Sequence, residues 1–240
     1  MKKFIIACTV IVMFAAGWLF LSSRIGMTFQ WESLRKTSVE TFTKVEGKTI
    51  LVDQGQGLAP FEIRGVNLGS GIPGHFATDY AIDKETYLRW FEEIQAMGAN
   101  CIRVYTLLQD DFYNAFWEYN KDREQPLYLI HGLWVNDYTL FSHRDAYDPD
   151  FMIQDSRTLV DIIHGNKRFS LGEGLGSGSY NHDISQWVLG YILGVEWEDT
   201  TVAFTDHMQN KKNQYHGKYM TTTDDATPFE AMLAQVGDKI

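Results

Sequence analysis

Disulfide chemistry has almost nothing to work with in this chain. Its two cysteines are Cys8, inside an apolar run near the N-terminus, and Cys101, inside a stretch of strand character. They are not placed to pair, so no disulfide framework supports the fold. Basic charge is short as well: 21 Lys and Arg stand against 31 Asp and Glu, a formal net charge of -10. No basic patch can offset phosphate repulsion, which excludes nucleic acid as a partner. The acidic surface reads as a device for solubility. Nucleotide fingerprints are missing too. The stretch "GEGLGSGSYN", residues 172 to 181, has Gly at every second position but no Gly-Lys-Ser/Thr, and it precedes a strand instead of opening a helix. It reads as a loop. His207 and His216, near Asp206, lack the repeat or spacing of a metal site and read as solvated loop residues. No Ser/His/Asp arrangement stands out, and neither a metal nor a cofactor is expected.

Long apolar runs are limited to one. Residues 4 to 21 are almost unbroken in apolar character, with Lys2 and Lys3 before them and Arg24 after. That length is at the lower edge of a bilayer-spanning helix and exceeds a usual signal-peptide core, and no small-x-small cleavage site follows. The segment 1–26 therefore reads as an uncleaved signal-anchor, spanning through residues 4–22, with a cleaved secretory signal as the alternative. The positive-inside rule sends the rest of the chain out of the cytoplasm on either reading. About 210 residues remain, enough for one domain with a real core.

Abundance lies in the aromatics, with 7 Trp, 12 Tyr and 15 Phe, and in the order of elements. "FTKVEGKTILVD" alternates around Glu46-Gly47 as a hairpin does, and "FEIRGVNL" is a second β run after a Gly-rich turn. Asp83 can cap a helix along which Tyr87, Trp90, Phe91, Ile94 and Met97 recur at helical spacing before Gly98 stops it. "NCIRVYTLL" is a strand, and a short helix follows from 111 to about 119. "PLYLIHGLWV" is a third strand. Asp148-Pro149 opens a helix with Met152, Ser156, Leu159 and Ile163 on one face. "WVLGYILGVEW" is the fourth strand. A capping box at Thr227-Pro228-Phe229-Glu230 starts a last helix that runs to Gly237.

Strand, helix, strand, helix in repetition means parallel strands joined by crossovers, and the apolar runs suit a sheet covered on both faces. Periodicity alone fits an open doubly wound sheet and a (β/α) barrel equally. In either, active groups gather at the C-terminal ends of the strands. Those ends carry Asn67 on the first strand, Arg103 and Tyr105 on the second, His131 and Trp134 on the third, and Glu196 and Trp197 on the fourth. Singly, each has an ordinary explanation: a turn cap, an ion pair, a satisfied core histidine, packing. The same register repeated on four successive strands is what selects them.

"RGVN", "MGANCIRVY", "LYLIHGLWV" and "VLGYILGVEWE" resemble the first four barrel strands of the clan-A glycoside hydrolases, close in flavour to families 2 and 5 and to the β-1,3-glucanosyltransferases of family 72. The resemblance covers about residues 58 to 200, the N-terminal half of such a barrel. It implies an α/β fold of the (β/α)8 TIM-barrel type, truncated after about four βα units, with a leading β-hairpin in 27–57 and the partial barrel in 58–240. It implies Glu196 as acid/base and Arg103 as support of the nucleophile. Asn67, Tyr105, His131, Trp134 and Trp197 would line sugar subsites. Two departures stand out. Val195 replaces the Asn that usually precedes the acid/base, and the seventh strand that would bring the nucleophilic Glu is not reached. A retaining double displacement needs that second carboxylate about 5 to 5.5 Å from the first.

The expected protein is thus a membrane-anchored, extracytoplasmic glycoside hydrolase or transglycosidase of an incomplete chain, acting on a β-linked glucan or other polysaccharide. A non-catalytic carbohydrate-binding relic and a cell-surface scaffold domain are the alternatives. The half-barrel, with apolar edge strands exposed, is expected to self-associate or to be molten.

Overall fold

The computed structural model of the protein describes residues 41–134, 150–169, 176–207 and 213–240, with the isolated positions 9, 12, 13 and 17. Those four are helical and exposed; the rest of the anchor expected over 4–22 lies outside the described residues. Among the described residues no helix is long and apolar enough to cross a membrane.

Four strands form the parallel sheet on which the site is built: β4 (Gly65–Asn67), β5 (Cys101–Val104), β6 (Tyr128–Leu133) and β9 (Val188–Leu193), in the spatial order β4-β5-β6-β9. The strands run in chain order, as successive crossovers require. Between and after them come α1 (Lys84–Ala96), α2 (Asp110–Asn120), α3 (Asp150–Ile163), α4 (Asp199–His207) and α5 (Pro228–Lys239). The result is a mixed α/β fold with an open sheet. No closed barrel is formed by the described residues, because β4 and β9 each lack a second neighbour there.

Local chemistry sets the helix limits. The Asp83 side chain accepts the Thr86 N–H at 2.9 Å and so caps α1. Gly98, at φ 91°, ends the turn after it in a conformation that favours glycine. In α5, Thr227 accepts from the Glu230 N–H while the Glu230 carboxylate accepts from the Thr227 N–H, a reciprocal box with Pro228 at the first position. Met152, Ser156, Leu159 and Ile163 are all buried along α3, as their spacing predicts.

Register decides which face is wet. Asn67, Arg103, Ile130 and Gly190 pair in one row across the sheet, and none of them is buried. In the row before it, Ile102, Leu129 and Val188 are buried and Val66 half-buried. Period-two alternation of that kind means one covered face and one open face. The covered face meets a helical layer whose rings pack edge-on: Phe91 to Phe112 at 5.8 Å, Phe91 to Phe116 at 5.8 Å and Tyr87 to Phe112 at 5.3 Å. The expectation of a sheet covered on both faces is therefore corrected. Among the described residues helices cover one side of the strands, and the other side is covered only toward its N-terminal end.

The leading hairpin has three strands, not two. β1 (Thr43–Glu46) and β2 (Thr49–Asp53) pair as expected, and β3 (Leu58–Pro60), in the stretch before "FEIRGVNL" that reads as a turn, adds to β2. This small sheet seats Phe42 and Phe61 against Tyr128, the first residue of β6. It thereby covers the N-terminal end of the otherwise open face. A further hairpin, β7 (Lys167–Phe169) with β8 (Gly178–Tyr180), forms where a loop is expected.

Candidate functional site

All four strands point the same way, so their C-terminal ends share one rim of the sheet. Asn67 ends β4, and the register sets Arg103 of β5 beside it. Arg103 Nη1 donates to Asn67 Oδ1 at 3.4 Å, a long contact that leaves most of the guanidinium fork free on the open face. Just past the end of β5 comes Tyr105, half-buried, whose ring is 5.9 Å from that of Trp134 and tilted by 55°. Its hydroxyl lies over Gly69, where any Cβ would collide with it. A bare glycine backbone is thus what lets the Tyr105 ring lie toward β4. Asn67, Arg103, Tyr105 and Trp134 are brought together as one partly exposed polar and aromatic surface.

His131 is placed elsewhere. Its parity in β6 turns it to the helical side, where it is 0% exposed. Nδ1 lies 2.9 Å from the Gly132 carbonyl and Nε2 2.7 Å from the Tyr113 hydroxyl. A carbonyl only accepts, so Nδ1 carries the proton and Nε2 accepts from Tyr113. Burial pulls the imidazole down to about 4, and it stays neutral. The expectation that His131 lines a subsite is corrected: it belongs to the core, and both nitrogens are taken.

Glu196 answers differently from a strand end. β9 stops at Leu193, Gly194 turns at φ 80°, and Glu196 itself is at φ 56° in the left-handed region, exposed. A non-glycine residue there stores about 1 kcal/mol of strain, and such outliers are found where a side chain is being aimed. Val195, the residue that departs from the clan pattern, is 8% exposed and packs toward Gly132 on the open face. A Cβ on Gly132 would come within 2.9 Å of the valine Cγ2, so that glycine and Val195 fit together. Trp197 folds back over Gly194. Its Nε1 donates to the Leu193 carbonyl at 3.2 Å and its ring meets Phe229 of α5 edge-on at 4.9 Å. It packs, partly buried, against the end of β9.

A wall behind this rim escaped the sequence reading. Asp110 opens α2, and its carboxylate accepts the Ser179 N–H at 2.9 Å. Tyr180 donates to the Leu108 carbonyl at 2.9 Å, and Tyr80, at φ 47°, donates to that of Leu107 at 3.3 Å. These bonds tie the loop after β4, the loop after β5 and the β7–β8 hairpin into one block. Gly178 sits against the Asp110 carboxylate with no room for a side chain. The alternating glycines of 172–181 were the available signal, pointing to close backbone approach.

Among the described residues no group of three or more His, Cys, Asp or Glu is placed to hold an ion. His216 Nδ1 is 2.7 Å from Thr221 Oγ1, and Asp206 accepts the Phe229 N–H at 2.9 Å, helping to start α5. Burial drives the Cys101 thiol up to about 11, which makes it inert. Comparison with family models, with curated proteins and with solved structures finds no match to this chain.

Proposed function

We propose that this protein acts on β-linked polysaccharide or oligosaccharide in the manner of a retaining glycosidase or transglycosidase. Glu196 serves as acid/base and Arg103 steadies the partner carboxylate. The observation that carries the reading is the row Asn67–Arg103 at the C-terminal rim, joined by Tyr105 and Trp134 on the uncovered face. A sugar presents hydroxyls around its edge and C–H groups on its face. The amide and guanidinium suit the first, and the paired rings suit the second.

The chemistry asks for more than one carboxylate. A general acid must have its pKa raised by burial or by a neighbouring charge, and Glu196 stands exposed. The proposal therefore includes a second barrel half, from further chain or from a partner, that closes over Glu196 and brings the nucleophile to Arg103. Anchoring through residues 4–22, with the domain outside the cytoplasm, is part of the same proposal.

Val195 favours a second reading, a glycan-binding module without turnover. Its buried isopropyl group occupies the position from which an amide would hold the sugar 2-hydroxyl, a contact that strengthens in the transition state. Binding to a panel of β-glucans followed by a reducing-sugar assay separates the two. Turnover that Glu196→Gln abolishes while binding persists supports the enzyme. Binding lost in Tyr105→Ala with Trp134→Ala, and no turnover, supports the module. Neither binding nor turnover rejects both.

A further inference from the structure

We infer that the cavity at the N-terminal ends of β4, β5 and β6, on the edge of the sheet opposite Glu196, is a second ligand site shaped for a neutral polyhydroxylated molecule such as an oligosaccharide unit. The cavity holds about 400 Å³, and a hollow of about 380 Å³ adjoins it through the shared residues Gln95 and Gln125. Together they make a groove between the three-stranded hairpin, the turn after α1 and the segment leading into β6.

Two side chains build the walls and are consumed in doing so. Asn100 accepts the Arg64 N–H at 2.8 Å through Oδ1 and donates to the Glu62 carbonyl at 2.8 Å through Nδ2. Its backbone joins the same places, with N–H to the Arg64 carbonyl and C=O from the Tyr128 N–H, each at 2.9 Å. Gln95 donates to the Gln125 carbonyl at 2.8 Å and accepts from the Tyr119 hydroxyl at 2.7 Å. The groove is therefore fixed before any ligand arrives, which lowers the ordering cost of binding.

Four other side chains keep their capacity. Glu62, Arg64 and Gln125 are exposed and line the cavity, and Gln54 spends one amide hydrogen on a 3.5 Å contact with the Tyr128 hydroxyl. In each of the two hollows one carboxylate offsets one guanidinium, Glu62 with Arg64 and Glu124 with Arg123, so charge does not favour an ion. Planar amides offer donors and acceptors side by side, the pairing that adjacent hydroxyls satisfy. A flat aromatic ligand is poorly served. Phe61 meets Tyr128 edge-on at 5.2 Å, Phe42 stacks on Tyr128 at 6.3 Å, and Tyr128 is only 4% exposed. Its ring faces are already used.

The choice of probe rests on the glycan reading; the site does not. Laminaritetraose and cellotetraose are titrated calorimetrically into the full-length protein, into Arg64→Ala/Gln125→Ala and into Tyr105→Ala/Trp134→Ala. Both substituted positions of the first pair are exposed, and matching unfolding midpoints check that the fold is kept. Loss of two or three hydrogen bonds should weaken binding about tenfold or more in the Arg64/Gln125 variant. A binding event that survives in the Tyr105/Trp134 variant and is lost in the Arg64/Gln125 variant establishes the second site, even if the rim shows neither binding nor turnover. Binding lost only with Tyr105 and Trp134 overturns it and leaves the rim intact. No heat with either sugar overturns it as well, and reducing-sugar release from polymeric glucan then judges the rim alone.

Discussion

The Tyr113 hydroxyl lies 2.7 Å from His131 Nε2, with both side chains shut off from water between β6 and α2. Unfolded, the imidazole takes up a proton near 6.5; folded, burial delays this to about 4. The unfolded chain binds more protons in that interval, so stability is whole above about pH 6.5 and falls as pH drops toward 4, by up to about 3 kcal/mol. Denaturant titrations at pH 7 and pH 4.5 should show the slope. His131→Gln should reduce it, because amide side chains do not titrate.

Ser156 lies on the buried face of α3, 1% exposed, and its hydroxyl has no hydrogen-bond partner among the described residues. A desolvated hydroxyl without compensation is a net cost, so Ser156→Ala should stabilise by about 1 kcal/mol. The denaturation midpoint should rise with an unchanged slope.

Glu196, at φ 56°, holds a conformation that glycine adopts freely. Glu196→Gly should raise the melting temperature by about 2 to 4 °C, the equivalent of about 1 kcal/mol at this size. The same change should abolish any β-glucan hydrolysis. A stabilised and inactive variant would mark the strain as the cost of placing the carboxylate.

Asp238, near the end of α5, accepts from the Met220 N–H at 2.9 Å, the Tyr219 N–H at 2.5 Å and the Tyr215 hydroxyl at 3.1 Å. The backbone donors hold its carboxyl down to about 2. The turn from 215 to 222 is thus secured above the ordinary carboxylate range and released only as pH falls toward 2. Asp238→Asn, with one acceptor oxygen in place of two, should speed tryptic cleavage after Lys218 at pH 8 while global unfolding changes little.

The elements that could be read from the sequence are those whose cause is local. Asp83 with Thr86, and Thr227 with Glu230, are caps formed within four residues, and the α3 stripe is a matter of spacing alone. The four apolar strands were legible for the same reason, and so was the gathering of Asn67, Arg103 and Tyr105, which follows from parallel direction. What stayed hidden depends on long-range partners. β3 exists because β2 is beside it, and β8 because Asp110 and Leu108 receive it from about 70 residues away. His131 was misplaced because a run such as "YLIHGL" does not declare which parity faces the helices, and one step reverses every side chain. The fold-back of Trp197 on its own strand stayed hidden because it depends on the room that Gly194 leaves for the ring.

The one-sided cover of the sheet also sets a rate hierarchy for amide hydrogen exchange. The β5 and β6 strands have neighbours on both sides and a helical layer behind them, whereas β4 and β9 have one strand neighbour each among the described residues. Protons on Ile102, Val104, Leu129 and His131 should escape only through opening of the whole unit, and those of β4 and β9 through local fraying. Deuterium would thus enter this fold from its two flanks inward, and the pair of strands bearing Arg103 and His131 would be the last to label.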